Sequence, residues 1–325
     1  MTTLLVASTG GHLRELHALH RRFDVNGLCE WATFDTAQSR SLLGGELVHY
    51  VAFTASRDAR HVVTNVPRAL HILAEGHYDR VISTGSAIAL SFLPAAAALG
   101  CEAHYVESAA RSEGPSVTGR LLMHVRGVRL HTQYPGWARA PWRYGGSVFD
   151  AYEPAPGRGR PIRRVVVMVG TLDFGFRRLV KRLTNLLPPD AEILWQTGST
   201  DTRELRLRPR AALPTAELRA ALSAADLVIA HAGIGSALDA LEAGHRPVLV
   251  PRRELYAEHI DDHQTLIARE LSGRGLAITA EAHALTIDDL DEAVEVGVRR
   301  RATAQPFALS TSTPAAAAPA LAEAA

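Results

Sequence analysis

Thr3-Leu-Leu-Val-Ala7 runs straight into Ser8-Thr-Gly-Gly-His12, and the amphipathic stretch His12–Arg22 follows. An apolar run, a glycine-rich turn and a helical period in that order spell one strand–turn–helix unit of an α/β sheet. The order recurs along the chain. Further strands are expected at Arg80–Ser83, Ala103–Val106, Val165–Val169, Glu192–Gln196, Leu227–Ala230 and Pro247–Val250. Helical patterns at Pro67–Glu75, Phe176–Leu187, Glu217–Ala224 and Ile260–Leu271 lie between or after them. Buried strands separated by helices imply parallel sheets with right-handed crossovers, a doubly wound α/β plan.

That pattern breaks at Glu153-Pro-Ala-Pro-Gly-Arg-Gly-Arg-Pro-Ile-Arg-Arg164, whose prolines and glycines are expected to form no regular element. The 325 residues therefore divide into domains at 1–155 and 165–301, with a linker at 156–164 and a disordered tail at 302–325. Hydrophobic residues at 47% and charged residues at 21% exclude wholesale disorder and a fibrous architecture. Cys29 and Cys101 make neither a disulfide framework nor a zinc site. The opening residues carry no basic and apolar leader, and Pro94 interrupts the most apolar stretch, Ala87 to Cys101. A cytoplasmic protein is expected.

Ligands bind at the carboxyl ends of strands in such sheets, so the strand-to-helix turns are the candidate sites. In the first turn, Gly10 and Gly11 let the backbone approach an anion, and His12 and Glu15 follow on the first helical turn. Leu13 stands where the dinucleotide fingerprint has its third glycine, which disfavours a nicotinamide oxidoreductase. In Ala230-His-Ala-Gly-Ile-Gly-Ser236, Gly233 and Gly235 free the backbone. Ser236 is a natural N-cap or phosphate donor, and Asp239 could accept sugar hydroxyls or complete a capping box. Pro251-Arg-Arg-Glu-Leu-Tyr-Ala-Glu-His-Ile-Asp-Asp-His-Gln264 is rich in charge ahead of a helix. His259 and His263 at i, i+4 with carboxylates nearby raise a metal site, but that needs a preceding helical turn and a third ligand, H-E-x-x-H is absent, and no metal is expected.

Together these segments resemble a known family. Gly-Gly-His-x-x-Glu at 10–15, Ile-Ser-Thr-Gly-Ser at 82–86, Tyr-Val-Glu-Ser at 105–108 and Gly-Gly-Ser-Val-Phe at 145–149 look like the acceptor-side subunit of a two-subunit glycosyltransferase. Val-Gly-Thr at 169–171, Gln-Thr-Gly at 196–198, His-Ala-Gly-Ile-Gly-Ser at 231–236 and Glu-His-Ile-Asp-Asp-His-Gln at 258–264 look like its donor-binding partner. Such enzymes act in exopolysaccharide and dolichol-linked chitobiose synthesis, and the layout also resembles glycosyltransferase family 28. The resemblance implies a GT-B fold, two Rossmann-like doubly wound parallel-sheet domains facing a cleft.

It also implies an inverting, metal-independent UDP-sugar transferase without cofactor, acting on a polyprenyl-diphosphate-linked saccharide. His12 would be the base, with Glu107 as the alternative. Gly10, Gly11, Glu15, Thr84, Gly85, Ser86 and Arg111 would bind the acceptor. Gly170, Thr171, Gln196, Gly198, His231, Gly233, Gly235 and Ser236 would bind the donor, with Asp239 on its ribose. Arg252, Glu258, His259, Asp262, His263 and Gln264 would complete the donor pocket. Arg177 stands where relatives often carry an acidic residue, and Asp239 where they usually carry glutamate. Two other readings stand beside this one, a non-catalytic nucleotide or lipid-carrier binding protein and a transferase with a soluble acceptor.

From Gly114 to Phe149 there is no acidic residue, while Arg120, Arg126, Arg129, Arg139 and Arg143 alternate with Tyr134, Trp137, Trp142, Tyr144 and Phe149. Such a surface suits an anionic membrane and a pyrophosphate headgroup, and also single-stranded nucleic acid. With the family resemblance, peripheral attachment to the inner face of the cell membrane is expected and nucleic acid is not.

Overall fold

A computed structural model describes residues 1–309 except 25, 26, 56, 57, 158, 160, 172 and 173. Its strands are β1 (Thr3–Ala7), β2 (Cys29–Phe34), β3 (Val48–Val51), β4 (Arg80–Gly85), β5 (Glu102–Val106), β6 (Val128–Thr132), β7 (Trp142–Tyr144) and β8 (Tyr152–Pro156) in the first half. The second half adds β9 (Arg164–Met168), β10 (Glu192–Gln196), β11 (Pro209–Arg210), β12 (Leu227–His231), β13 (Val248–Val250), β14 (Ile278–Thr279) and β15 (Val296–Arg300). The helices are α1 (Gly11–Leu19), α2 (Ala37–Leu42), α3 (Ala59–Gly76), α4 (Ala89–Ala98) and α5 (Val117–Leu122), then α6 (Arg177–Leu186), α7 (Thr215–Ala224), α8 (Ile234–Glu242), α9 (His263–Gly273) and α10 (Ile287–Glu295).

Two parallel sheets result, in the orders β3-β2-β1-β4-β5-β6-β7 and β11-β10-β9-β12-β13-β14. Each begins at its centre and winds outward both ways, so the direction of winding reverses between β1 and β4 and between β9 and β12. Ligands are expected in the crevices at those two switch points. The all-buried side chains of β1 fit a strand covered on both faces. Helix α4 escaped the periodicity reading because it is apolar nearly all round, and six of its ten residues are buried.

The expectation that residues 153–164 form no regular element is corrected at its start. β8 pairs antiparallel with β15, with Pro154 opposite Val298 and Pro156 opposite Val296. Two prolines two residues apart point their missing donors the same way, away from the partner, and the ladder is kept by neighbours such as Gly157, whose N–H donates to Glu295 O. The tail expected from residue 302 also begins differently. Phe307 is buried, its ring against Phe23 at 5.5 Å, and its N–H donates to Arg22 O. Phe307 and Ala308 thus return to the first half, while 310–325 lie outside the described residues.

Candidate functional site between the two sheets

The turn after β1 meets the turn after β12. Gly10 adopts φ of 90°, a conformation that favours glycine, and starts α1. A Cβ on Gly11 would lie 2.5 Å from the Ile234 side chain, so close approach of α8 requires glycine there. Three residues further, Arg14 Nε donates to Asp239 Oδ1 at 2.5 Å. Contacts that advance in the same direction along both helices place α1 and α8 side by side with their N-termini together. Each helix leaves its first N–H groups without intrahelical partners and carries about half a positive charge at that end. Two such ends, both opened by glycine, form a cradle for an anion. Gly233 rather than Ser236 is the N-cap of α8, and Asp239 completes no capping box.

His12 stands at this junction. Its Nδ1–H donates to Thr84 O at 2.7 Å, and Thr84 Oγ1 donates to His12 O at 2.9 Å. Burial, with Arg111 and His263 adding to it against the Thr84 hydrogen bond, lowers its pKa to about 4, so the ring is neutral at pH 7. The tautomer fixed by Thr84 leaves the Nε2 lone pair free to accept a proton. Gly85 and Ser86 complete the floor: Ser86 N donates to Ser8 Oγ at 3.1 Å, and a Cβ on Gly85 would touch the His12 ring at 3.5 Å.

Glu107 and Glu15 are both turned inward, which differs from their expected placement in the cleft. Glu107 is 1% exposed and accepts from Ser116 N, Ser116 Oγ and Tyr105 Oη. Glu15 is fully buried and accepts from Ala109 N, Ser108 Oγ and Gln133 Nε2. Both carboxyls hold the loop that follows β5. Burial pushes Glu15 up to about 7, against those three hydrogen bonds. Unfolded, the group ionises near 4.5. Between these values the folded chain keeps a proton that the unfolded chain has lost, so stability falls as pH rises through the window. Glu15→Gln mimics the protonated acid: its Oε1 accepts from Ala109 N and Gln133 Nε2, and its Nε2 donates to Ser108 Oγ, whose hydroxyl turns from donor to acceptor. Urea unfolding should show the variant gaining on the parent between about pH 5 and about pH 8, by on the order of 2–3 kcal/mol. Parallel pH dependences would mean an ordinary carboxyl.

In the second half, Gly170, Thr171, Gln196 and Gly198 follow or end β9 and β10, and His231 ends β12. Burial first, then Arg252, lower His231 to about 3, and its neutral ring lies under two glycines. A Cβ on Gly170 would come within 3.0 Å of that ring and one on Gly233 within 2.3 Å. Thr171 is exposed, whereas the Gln196 side chain is buried. Arg177 is spent on Asp201 O and Glu204 at the surface.

The stretch 251–264 splits into two groups. Arg252, Glu258, Asp262 and Gln264 depart from their expected place in the pocket. Arg252 is 1% exposed and donates to Val169 O, while its N–H donates to Gln264 Oε1. Glu258 takes a two-point pair from Arg178, and Asp262 accepts from Arg253 and from Glu254 N. These four shape the loop. His259 and His263 instead gather around Asp261, whose other oxygen lies 3.5 Å from Arg111 of the first half. Sequence reasoning chose Asp262 and missed Asp261, and it missed Arg14 as well. Adjacent identical residues carry no signal of which one faces the cleft, and Arg14 needed knowledge of the opposing helix.

The aromatic residues expected at the surface are corrected too. Tyr134, Trp137, Trp142 and Phe149 are buried in the core, and among the five only Tyr144 is exposed. The five arginines are exposed as expected. What accompanies them is α5, where Val117, Arg120 and Leu121 share one outward face, followed by Met123.

Residues 164–321 match the glycosyltransferase family 28 C-terminal domain. A stretch of 141 residues is 33% identical to the UDP-N-acetylglucosamine--N-acetylmuramyl-(pentapeptide) pyrophosphoryl-undecaprenol N-acetylglucosamine transferase of Nitratidesulfovibrio vulgaris (strain DP4), covering 40% of this chain and 37% of that protein. A stretch of 57 residues is 49% identical to the UDP-N-acetylglucosamine transferase subunit ALG13 of Yarrowia lipolytica, covering 18% of this chain and 27% of that subunit. The matches thus span well under two thirds of either relative. The crystal structure of Acinetobacter baumannii MurG shares the fold with a TM-score of 0.54 and 20% identity, over 90% of this chain and 89% of that one. The two-sheet architecture is that of the GT-B glycosyltransferases.

Proposed function

The chain is related to glycosyltransferase family 28, whose C-terminal domain fills its second half, and from that premise we propose that it moves a sugar from a UDP-sugar to a polyprenyl-diphosphate-linked saccharide. The observation that carries the reading is the parallel contact of α1 and α8, which sets two glycine-opened helix N-termini and a neutral histidine at one point. The UDP diphosphate lies on the N-terminus of α8, and Asp239 reaches the ribose. His12 Nε2 takes the proton of the acceptor hydroxyl as its oxygen attacks the anomeric carbon. The bond from that carbon to the diphosphate breaks on the opposite face, so the configuration inverts and UDP leaves with the electron pair. The fixed helix dipole stabilises the growing charge without a metal. The first half, expected at 1–155, is the acceptor side, and 165–301 the donor side.

The lipid end of the acceptor places the enzyme at a membrane, in surface polysaccharide synthesis on the cytoplasmic face. Val117, Leu121 and Met123 supply apolar contact and the surrounding arginines supply charge. Each arginine near an anionic surface contributes about 1 kcal/mol, so Arg120→Glu with Arg126→Glu should lower binding to phosphatidylglycerol vesicles at least about tenfold at low salt. Equal flotation of parent and variant would remove this face from the membrane.

Transfer is tested with purified chain, a panel of UDP-sugars and a synthetic lipid-linked acceptor beside a soluble saccharide, in EDTA. UDP-N-acetylglucosamine comes first, because both relatives' names carry it. Glycosylated lipid is expected. UDP binding without transfer would favour a binding protein, and transfer only to the soluble saccharide would refute the lipid acceptor.

A further inference from the structure

We propose that His259, Asp261 and His263 form a binding site for a divalent transition ion of the zinc class. Sequence spacing supplied two imidazoles among several carboxylates, and the fold singles out Asp261 as the third ligand. One ligand atom from each residue lies within 4.8 Å of the others. His259 Nδ1 is 3.4 Å from Asp261 Oδ1, close to the ~3.4 Å separation that two ligands at ~2.1 Å from a tetrahedral zinc ion require. His263 Nδ1 hydrogen-bonds the same oxygen, and the two rings meet edge to face at 4.7 Å.

The second observation concerns His259. Its side chain is only 8% exposed, packed on Phe174 at 5.3 Å, and its Nδ1 is buried without a hydrogen-bond partner while facing this cluster. A buried polar nitrogen left unmatched is costly, and an ion would satisfy it. Arg111 contacts the other oxygen of Asp261 and so orients the carboxylate with Oδ1 toward the imidazoles. The N-terminus of α9 and Arg111 both oppose a cation. That opposition selects ions held strongly by nitrogen, zinc, cobalt or nickel, over magnesium and calcium, which need oxygen ligands. Binding moves the His263 ring proton from Nδ1 to Nε2 and opens its hydrogen bond to Asp261. Three protein ligands leave a fourth position for water or another small ligand. An ion there occupies His263, a donor-contact residue in the proposed reaction, so zinc should inhibit transfer that needs no metal.

The ion site rests on geometry alone, and only the inhibition rests on the donor reading. The test titrates zinc calorimetrically, and cobalt(II) by its visible absorption, into the EDTA-treated full chain without nucleotide. One ion per chain is expected, weakened about tenfold or more by His259→Gln and by Asp261→Asn. No binding, or binding by both variants as tight as by the parent, would overturn the site and place any bound ion on other histidines. Circular dichroism checks that the variants fold, and if His259→Gln does not, Asp261→Asn decides. A chain that takes zinc but not UDP would refute the donor reading and keep this one.

Discussion

His12→Ala lowers turnover by about 10²–10⁴-fold, the range for loss of a general base, while UDP affinity stays within about twofold. The expectation follows from the position of the ring. It stands on α1, across the junction from the α8 turn that is to hold the diphosphate, and its Nδ1–H is committed to Thr84 O. Glu107, the other candidate base, is 1% exposed and bound by Ser116 and Tyr105, so it has neither access nor free valence. The pH profile separates base from binder. In the free enzyme burial holds His12 near 4, so the acid limb of kcat/KM should fall well below the ordinary histidine range. A bound diphosphate favours the imidazolium, so the limb in kcat should move upward. Calorimetry with UDP and initial rates across pH check both. Lost UDP affinity with unchanged turnover would make His12 a nucleotide ligand and leave the reaction without its base.

The legible part of this protein was whatever repeats. β1, β10 and β12 announced themselves by apolar runs ahead of glycine turns, and the parallel sheets followed from the alternation of strands and helices, whereas the switch points needed the strand order. β2, β3, β6 and β7 did not, because Cys29–Phe34 mixes charge with aromatics and Trp142–Tyr144 is only three residues long. The site was legible as turns but not as side-chain directions. His12 and Gly233 fall at strand ends, where backbone position decides their exposure. Arg252 and Glu258 looked like ligands because they are charged, yet each is buried and matched by a partner from a distant segment, Val169 or Arg178. Trp137 and Trp142 looked like a membrane surface for want of acidic neighbours, whereas they meet edge to face at 5.1 Å in the core. Pairing across space is what a linear pattern lacks.

Asp239→Ala should have the largest combined effect on stability and donor binding, and its two consequences can be separated. Arg14 is 5% exposed, and burial works against its charge. Asp239, with Tyr152 and Glu242 beyond it, outweighs that and keeps the guanidinium protonated. Removing one partner of a fully buried pair costs ~3–5 kcal/mol. The Asp239 side chain is 26% exposed, so water offsets part of the loss, and about 2–3 kcal/mol is expected here. For a chain of 325 residues that lowers Tm by roughly 3–5 °C. Loss of a charged hydrogen bond to the ribose should weaken UDP by about tenfold or more. Arg14→Leu with Asp239→Leu removes both charges and lets two apolar side chains meet between α1 and α8, beside the buried Leu13 and Leu238. The double variant should therefore regain most of the stability and none of the UDP affinity. Arg14→Leu alone should keep UDP affinity within about threefold, because the carboxylate stays in place. If the double variant recovers UDP binding, Asp239 serves only the contact between the halves, and the ribose is held elsewhere.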